Sequence, residues 1–485
     1  MEKASPELRK RCRRLNKRRV KLKDAEYIFC WIQQNLRAND NPIIDAAVAA
    51  GNKYRLPVVV YHALGHGYPH ANARIHRFIL EGSRSLAPAV EQRGLRFISY
   101  VERPEKMEKG LVYRLAERAA LMVTDDIPAY VARWQAESVA NKTRCPVIAV
   151  DANCLVPMNE FPKQLSRNKY FRRAQTPLRE KYLEAKTELE PDVSRYEGEF
   201  DFEPDDLSIL DLDELIGNCE IDHSVKPVEY FKGSRARALE QLKWACENVL
   251  PDYDRARTNS SHPHNGSKLS PYLHFGQLSV REIVREVRQN SKPKQTNWKF
   301  LDELLSWREF FHHTARHSAE PSAYSFLPDW SRKTLEEHAV ERSELSTPPL
   351  NDIIHGETYD ETWNAAQKQY VLDAWMPNNI RMYWGKTLVG WMKSPQEAWY
   401  TACYLNDRFS LDGRDPATYG NIGWCFGKIN YPRRETKIYG TVGRPSDTAM
   451  KKRTGVKEWI IAQAKREVDR VEVPDSVEPF NKLTS

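Results

Sequence analysis

An acid and an aromatic ring stand at helical spacing near the middle of the chain. In FLDELLSWREFF (300–311), Glu303 and Trp307 are four residues apart, and residues at this spacing lie on one face of a helix. A carboxylate beside an indole suits a flat ligand with hydrogen-bonding edges, such as a nucleobase. The same pair also suits an amphipathic helix whose carboxylate is solvated, so the spacing leaves both interpretations open.

Two tryptophans repeat at a longer helical interval in RMYWGKTLVGW (381–391). Trp384 and Trp391 are seven positions apart, and seven steps of about 100° return to within about 20° of the starting direction. The two indoles therefore lie on one helix face, two turns apart. By itself this spacing is typical of buried core residues, which supply apolar area.

A glycine- and serine-containing segment, SHPHNGSKLSPYLHFGQLS (261–279), leads into a predicted helix. The backbone N–H and hydroxyl groups of Asn265, Gly266, Ser267 and Ser270 can bind an anion there. A simple helix cap, with Pro271 in the first turn, accounts for the same pattern. Both interpretations stay open on these residues alone.

The loop YLNDRFSLDGRDPATYGNIGW (404–424) is dense in Asn, Asp and Gly. Segments of this composition usually form turns. Here, however, Asp407, Asp412 and Asp415 stand beside Arg408 and Arg414, which is more charge than a turn requires. The loop is therefore a candidate binding segment.

At 485 residues the chain is long enough for two domains or more. No run of uncharged apolar residues is long enough to predict a membrane span. The eight cysteines are scattered without a C-x-x-C pair, so we expect reduced thiols and no metal site. The net charge of +8 slightly favours a polyanionic partner.

Residues 1–24 form a basic arm, MEKASPELRKRCRRLNKRRVKLKD, without the apolar stretch of a secretion signal. Such arms are usually solvated tails, and this one could also contact phosphates. We expect the protein in the cytoplasm, with the nucleoid, if it is prokaryotic, and in the nucleus if it is eukaryotic.

The first third of the chain alternates apolar runs with helical patterns. AEYIFCWI, LPVVVYHAL, LRFISYV, AALMVTDD and CPVIAVDAN are typical of buried parallel strands. Residues 25–160 are therefore expected to form a doubly wound, Rossmann-like α/β domain. The domain lacks G-x-G-x-x-G, so a tightly held dinucleotide is not indicated there.

The rest of the chain changes character twice. Residues 161–225 are charged and aperiodic and predict an interdomain linker. Residues 226–470 carry helical patterns such as SRARALEQLKWACENVL and VREIVREVRQN, which predict an all-α domain. Residues 471–485 are expected to form a short C-terminal tail.

Five motifs in a fixed order, SKLSPYLHFGQLS, WREFF, NNIRMYW, LNDRFSLDGRDP and GW, resemble the C-terminal half of the photolyase/cryptochrome family. The wording of LNDRFSLDGRDP, TWNAAQKQ and RMYWGK is most similar to class II cyclobutane pyrimidine dimer photolyases. The resemblance covers nearly the whole chain, because that family joins an N-terminal α/β antenna domain to a C-terminal helical FAD-binding domain.

The resemblance implies which residues hold the FAD. The positions that match the family's FAD contacts are Tyr253, Gly266, Ser267, Leu269, Ser270, Arg381, Asn406, Asp412 and Asp415. Asn406 is expected to face flavin N5. Arg381 is expected to pair with Asp412 and place positive charge beside the reduced flavin. The family's reaction is light-driven electron donation from the reduced flavin to the substrate.

The implied substrate is UV-damaged DNA whose pyrimidine dimer is flipped out of the helix. By resemblance, Glu303 hydrogen-bonds the dimer, Met382 packs on it, and Trp307 and Trp424 sandwich it. The (6-4) photolyases carry two histidines where this chain has Asn378 and Met382, so we expect cyclobutane dimers as the substrate.

The resemblance also gives the two spaced tryptophans a role. Trp384, Trp363 and Trp391 match the class II tryptophan chain that reduces oxidised flavin under light. Trp384 is expected nearest the flavin, Trp363 in the middle and Trp391 at the surface.

The DNA contacts follow less directly from the resemblance. Arg257 matches an arginine near the lesion phosphates, and Arg444 matches the residue that fills the hole left by the flipped bases. Residues 425–447 depart from the usual class II sequence. Arg433, Arg434, Lys437 and Arg444 therefore also fit a general phosphate-binding patch.

Other functions stay open at this point. A cryptochrome-like photoreceptor would keep the FAD and the tryptophans without repairing DNA, and a helical DNA-binding protein would lack flavin. An antenna chromophore, deazaflavin or folate, could occupy the α/β domain. We expect the protein to be a monomer and to bind damaged DNA. We do not expect it to associate with a membrane.

Overall fold

A computed structural model describes residues 4–262, 264–290, 297–342 and 346–477. The first three residues of the basic arm and the last eight of the predicted tail lie outside the described residues.

A six-stranded sheet forms the core of the N-terminal part. Its strands are β1 (Cys12–Arg14), β2 (Tyr27–Ile32), β3 (Val58–Leu64), β4 (Arg96–Val101), β5 (Ala119–Asp125) and β6 (Val147–Val150). The strand order is β1-β6-β5-β2-β3-β4, and only β1 runs antiparallel to its neighbour. Strands β2 to β6 coincide with the five apolar runs, because strands covered on both faces need no polar alternation. The predicted doubly wound α/β fold is confirmed.

The basic arm is not a solvated tail over its first described residues. It forms helix α1 (Pro6–Arg11) and strand β1. Arg11 is buried, and its Nη1 donates to the carbonyls of Asp151 and Cys154 at 3.0 and 2.8 Å. The arm thereby covers the edge of β6, which would otherwise expose unpaired backbone groups. The interpretation as a tail is wrong for these residues.

Helices cover both faces of the sheet and continue into the predicted linker. They are α2 (Pro42–Tyr54), α3 (Ala73–Gln92), α4 (Leu111–Glu117), α5 (Tyr130–Lys142), α6 (Asn168–Gln175), α7 (Arg179–Leu183) and α8 (Leu212–Gly217). Phe171 on α6 and Tyr182 on α7 are buried in the main hydrophobic cluster. The segment 161–225 therefore packs against the body of the protein more extensively than a linker would.

From residue 226 onward the described residues form helices and no β-strand, which confirms the all-α prediction. The helices are α9 (Arg235–Asn248), α10 (Tyr253–Ala256), α11 (Ser270–His274), α12 (Val280–Asn290), α13 (Trp298–Asp302), α14 (Glu309–Arg316), α15 (Asp329–Glu337), α16 (Ala339–Arg342), α17 (Leu350–His355), α18 (Glu361–Asp373), α19 (Asn378–Trp391), α20 (Pro395–Phe409), α21 (Pro416–Cys425), α22 (Asp447–Lys451) and α23 (Val456–Ala464). A π-helical turn, Glu303–Arg308, joins α13 to α14.

Buried arginines join the α/β part to the helical part. Arg74 on α3 donates to the carbonyl of Phe409 at 2.7 Å and to that of Val371 at 2.6 Å. Arg37 donates to the carbonyl of Gly276 at 2.8 Å. Each bond satisfies a backbone carbonyl that the junction buries. Within the described ranges, no helix has the length and apolar character needed to cross a bilayer.

Candidate active site

The helical part contains a cleft of about 390 Å³, within the size range of small-molecule and cofactor sites. It brings together most of the site residues that the sequence predicted. The predicted residues that line it are Tyr253, Arg257, Gly266, Ser267, Leu269, Ser270, Glu303, Trp307, Asn378, Arg381, Asp412, Asp415 and Trp424.

A π-helical turn presents Glu303 and Trp307 to this cleft. Helix α6 supports the turn from behind, where Asn168 Nδ2 donates to the carbonyl of Ser306 and Gln175 Nε2 donates to that of Leu305, both at 2.9 Å. Wide turns of this kind are frequent at functional sites. The predicted juxtaposition of the acid and the indole is present, but the supporting contacts come from the segment predicted to be a linker.

Three side chains surround the Glu303 carboxylate. The Tyr253 hydroxyl donates to Oε2 at 2.5 Å, Lys299 Nζ lies 3.1 Å from Oε1, and Arg257 Nη1 lies 3.5 Å from Oε1. Burial and the neighbouring carboxylate raise the pKa of Tyr253 well above its usual value, so the phenol stays a donor. Sequence reasoning missed Lys299, although its position four residues before Glu303 was a signal.

The two predicted aromatic walls stack on each other. The ring centroids of Trp307 and Trp424 are 4.9 Å apart, and the ring planes are inclined by 24°. A base between two rings needs about 7 Å, since each carbon contact spans about 3.5 Å. The expected sandwich geometry is therefore not present, because each half-buried indole covers an apolar face of the other.

An ion pair forms part of the cleft wall. Arg381 Nη2 lies 3.1 Å from Asp412 Oδ1, and the Ser410 hydroxyl donates to the same oxygen at 2.6 Å. Both charged side chains are buried. Burial alone would lower the pKa of Arg381, but the charge of Asp412 outweighs it and raises the pKa above the ordinary value. The predicted pairing of these two residues is present.

Asp415 lines the cleft in front of two buried histidines. His274 Nδ1 lies 3.2 Å from Asp415 Oδ2, and His312 Nε2 lies 3.5 Å from Oδ1. Burial alone would raise the pKa of Asp415, but His312 and His274 hold it well below the usual range. Sequence reasoning missed both histidines, which no local spacing connects to Asp415.

The glycine- and serine-containing segment follows the cleft wall without forming a side-chain cap. Helix α11 begins at Ser270, and the capping position is Leu269, whose side chain cannot accept a hydrogen bond. The capping interpretation is therefore right about Pro271, which lies in the first turn, but no side chain caps the helix. A Cβ atom on Gly266 would lie 2.8 Å from the Trp375 ring, so only glycine lets the backbone pass this close to the indole.

Several buried polar atoms along the cleft have no hydrogen-bond partner among the described residues. They include both side-chain amide atoms of Asn379 and Nε of Arg381. Buried polar groups in native proteins are nearly always paired. The cleft therefore offers a donor and acceptor set that suits a polar, negatively charged ligand.

Three of the predicted cofactor and DNA contacts do not line the cleft. Asn406 is fully buried behind it, where Tyr370 donates to its Oδ1 at 2.7 Å and its Nδ2 donates to Asp407 Oδ1 at 2.8 Å. Met382 packs with its sulfur 4.0 Å from that of Cys425. Arg444 is exposed, outside the cleft. The amide of Asn406 is engaged with neighbouring helix residues, and its contact with flavin N5 stays a prediction.

Three tryptophans form a continuous row beside the cleft, in the predicted order Trp384, Trp363 and Trp391. The first two rings are parallel within 7° with centroids 6.2 Å apart, and the last two are 4.9 Å apart. Trp363 Nε1 donates to the backbone carbonyl of Trp384 at 3.0 Å, which fixes the two helices together. Trp391 is only 6% exposed, so its expected surface position is wrong.

A second cleft, of about 430 Å³, lies in the α/β part. Ligands of open α/β sheets bind beyond the carboxyl ends of the strands, and this cleft lies beyond the ends of β2, β3 and β4. Its lining includes the aromatic side chains Trp31, Tyr61, Tyr100 and Tyr113 and the polar side chains Gln33, Gln135 and Ser138.

Fold and site together define a two-part protein in which a parallel α/β sheet is joined to a helical part with a polar cleft flanked by aromatic rings. The DNA photolyase family model matches residues 28–193. Over these residues the chain is similar to the DNA photolyase family.

Similar proteins match along most of the chain. A deoxyribodipyrimidine photo-lyase of Methanothermobacter thermautotrophicus is 29% identical over 93% of this chain and 97% of its own. That of Arabidopsis thaliana is 27% identical over 93% of both chains. An archaeal photolyase from Sulfolobus tokodaii, solved with two FAD molecules, shares the fold at a TM-score of 0.60 and 16% identity, covering 95% of this chain and 98% of its own.

Proposed function

We propose that the protein is a light-dependent DNA repair enzyme that splits cyclobutane pyrimidine dimers with the help of reduced FAD. The observation that carries the proposal is the position of Glu303, held by Tyr253 in a cleft between an aromatic pair and a polar wall. The names of the similar full-length proteins support the same activity.

The cleft residues fit FAD. A diphosphate needs N–H and hydroxyl donors, which Gly266, Ser267 and Ser270 supply along one side of the cleft. A flavin ring needs both donors and acceptors. The amide of Asn379, which has no partner among the described residues, offers both. Arg381 adds positive charge where the reduced, anionic ring would be held. When bound, the flavin supplies the light-absorbing, one-electron chemistry that no side chain has.

On the substrate side, the chain holds the flipped lesion and stabilises its charge. Glu303, oriented by the hydrogen bond from the Tyr253 hydroxyl, is the group that would hydrogen-bond the base edges. Trp307 and Trp424 offer stacking faces, and entry of a base requires their centroids to separate from 4.9 Å to about 7 Å. A flipped base stacked on aromatic rings and read along its edge is the usual recognition of an extruded nucleotide.

We assign the tryptophan row, Trp384, Trp363 and Trp391, to electron supply. Contact between neighbouring rings allows an electron to pass inward from Trp391 through Trp363 to Trp384. Tyr370 packs edge-on against Trp384 at 5.6 Å, and its hydroxyl reaches Asn406 behind the cleft. The row therefore ends next to the wall of the proposed flavin site.

The second cleft is the proposed place of an antenna chromophore, a deazaflavin or a folate. Flat heteroaromatic rings stack on Trp31 and the tyrosines, and Gln33 and Gln135 can hydrogen-bond ring edges. The cleft shares Gly67 and Tyr68 with the loop that follows β3. This loop contacts the helical part through Asn72, whose Nδ2 donates to the carbonyl of Arg408 at 2.9 Å.

Repair of UV-irradiated DNA under blue light, compared with repair in the dark, tests the proposal with FAD-loaded, pre-reduced protein. We expect dimer loss in the light alone. Trp307→Ala should retain FAD and lose most dimer binding, whereas Trp134→Ala, which removes a similarly half-buried indole from α5, should repair normally. Flavin binding without any light-dependent repair would instead support a photoreceptor.

A further inference from the structure

At the outer end of the tryptophan row, the aromatic residue that meets solvent is Tyr359. Trp391 is 6% exposed, whereas Tyr359 is 69% exposed. The two ring centroids are 5.4 Å apart, with the planes inclined by 61°. Tyr359 therefore covers the last indole and extends the line of touching aromatic rings to the surface.

We propose that Tyr359 is the terminal electron donor of the row. The inference rests on the proposed light-driven reduction of FAD, which withdraws one electron from the row and leaves a radical cation on Trp391. One electron then passes from the phenol of Tyr359 to Trp391, which becomes neutral again. The phenol O–H proton passes to water, and a neutral tyrosyl radical remains at residue 359.

Exposure is what suits Tyr359 to this step. Loss of an electron from a phenol is accompanied by loss of its proton, so the hydroxyl needs an acceptor. Tyr370, at the inner end of the row, is fully buried and donates its hydroxyl to the amide oxygen of Asn406, which is not a base. Bulk water is available to Tyr359 alone of these two tyrosines.

The segment that carries Tyr359 is held in place beside the row. Asp360 caps α18 by accepting from the backbone N–H of Trp363 at 2.9 Å. Thr358 donates its backbone N–H to Asn364 Oδ1 at 2.9 Å. The residues on both sides of Tyr359 are thus fixed to the helix that carries the middle indole, which keeps the terminal ring in contact despite its exposure.

Flash photolysis of the FAD-loaded protein, followed by transient absorption and by electron paramagnetic resonance with ring-deuterated tyrosine, tests the proposal. We expect a tryptophan radical that is replaced by a tyrosyl radical whose hyperfine pattern changes with the label. Tyr359→Phe should lose the tyrosyl signal and retain the tryptophan radical. Tyr170→Phe, which alters another exposed tyrosine (47%), should retain both signals.

A measurement without flavin separates this inference from the proposed function. In apo-protein, pulse-generated azide radicals oxidise tryptophan, and we expect delayed growth of tyrosyl radical that Tyr359→Phe diminishes. A tryptophan radical without a tyrosyl successor in the wild type, or an unchanged tyrosyl signal in Tyr359→Phe, would overturn the inference. If the holoprotein forms no tryptophan radical but the apo-protein shows the transfer, the proposed flavin reduction fails and the inference about Tyr359 stands.

Discussion

Tyr253 and Glu303 are fifty positions apart in the chain and share a hydrogen bond of 2.5 Å in the cleft. The resemblance assigns the tyrosine to the cofactor and the acid to the substrate, and their contact joins the two functions. Because the phenol is held protonated, it orients one carboxylate oxygen and leaves the other directed toward Lys299 and Arg257.

Replacing Glu303 tests its assigned contact with the substrate. Glu303→Ala should retain FAD and lose repair quantum yield by about 10- to 100-fold, the effect of losing one hydrogen bond to a charged group. The yield is measured with pre-reduced protein, so that electron supply does not limit it. Glu303→Gln keeps a hydrogen-bonding side chain and should lose less. An alanine variant with normal yield would remove Glu303 from the mechanism.

The tryptophan row predicts a separation between activation and repair. Trp384→Phe should abolish light-driven reduction of bound FAD, while chemically pre-reduced variant still repairs dimers. Absorbance of the oxidised flavin under illumination measures the first property. Trp399→Phe is the matched control, because Trp399 is equally buried but packs on Phe326 and Phe426. Full photoreduction of FAD in Trp384→Phe would mean that Trp384 is a core residue without a part in electron transfer.

A buried acid predicts how the stability of the apo-protein depends on pH. Burial raises the pKa of Glu309 to about 7 from 4.5, so the folded state holds its proton more tightly than the unfolded state. The resulting contribution to the free energy of unfolding is about 3 kcal/mol. It is complete below pH 4.5 and is lost as the pH rises through 7. Urea unfolding between pH 5 and 8 should show this loss.

The Glu309→Gln variant isolates the contribution of this carboxyl group to the pH dependence of stability. Glu309 accepts hydrogen bonds from the backbone N–H of Leu155 and from Gln175 at 2.5 and 2.6 Å, so it joins the helical part to the end of the α/β part. The glutamine variant carries no titrating group and should show a flatter stability profile. Identical pH profiles for the two proteins would mean that Glu309 does not titrate in this range.

The exposed arginines after α21 predict salt-sensitive binding to undamaged DNA. Affinity should fall steeply with salt, because phosphate contacts release counterions. Arg434→Ala should reduce the slope of log affinity against log salt by about 0.9 if that side chain neutralises one phosphate. Lys109→Ala, an exposed lysine of the α/β part paired with Glu102, should leave the slope unchanged. A flat salt response in the wild type would contradict a phosphate-dominated footprint.

The sheet was predictable because buried parallel strands require continuous apolar runs, and β2 to β6 are such runs. Strand β1 was not, because Cys12–Arg14 contains two arginines and pairs only through its backbone with β6. The packing of α6 against the π-helical turn was also invisible, since its hydrogen bonds from Asn168 and Gln175 cross more than a hundred residues of sequence.

Within the site, the sequence predicted which residues line the cleft, but it did not predict which side chains contact them. The motifs pointed to Glu303, Asp412 and Asp415, which all line the cleft. The partners of Asp415, His274 and His312, come from separate helices, and only the tertiary fold brings them within 3.5 Å. The contact between Tyr359 and Trp391 likewise depends on a loop whose course no local pattern specifies.

The most direct test of the central claim is lesion-specific repair by the purified, pre-reduced protein. Oligonucleotides with one cyclobutane thymine dimer or one (6-4) product are illuminated with blue light or kept dark. We predict light-dependent loss of the cyclobutane dimer alone. Repair of neither lesion by a protein that binds FAD and photoreduces it, or repair of the (6-4) product alone, would contradict the account.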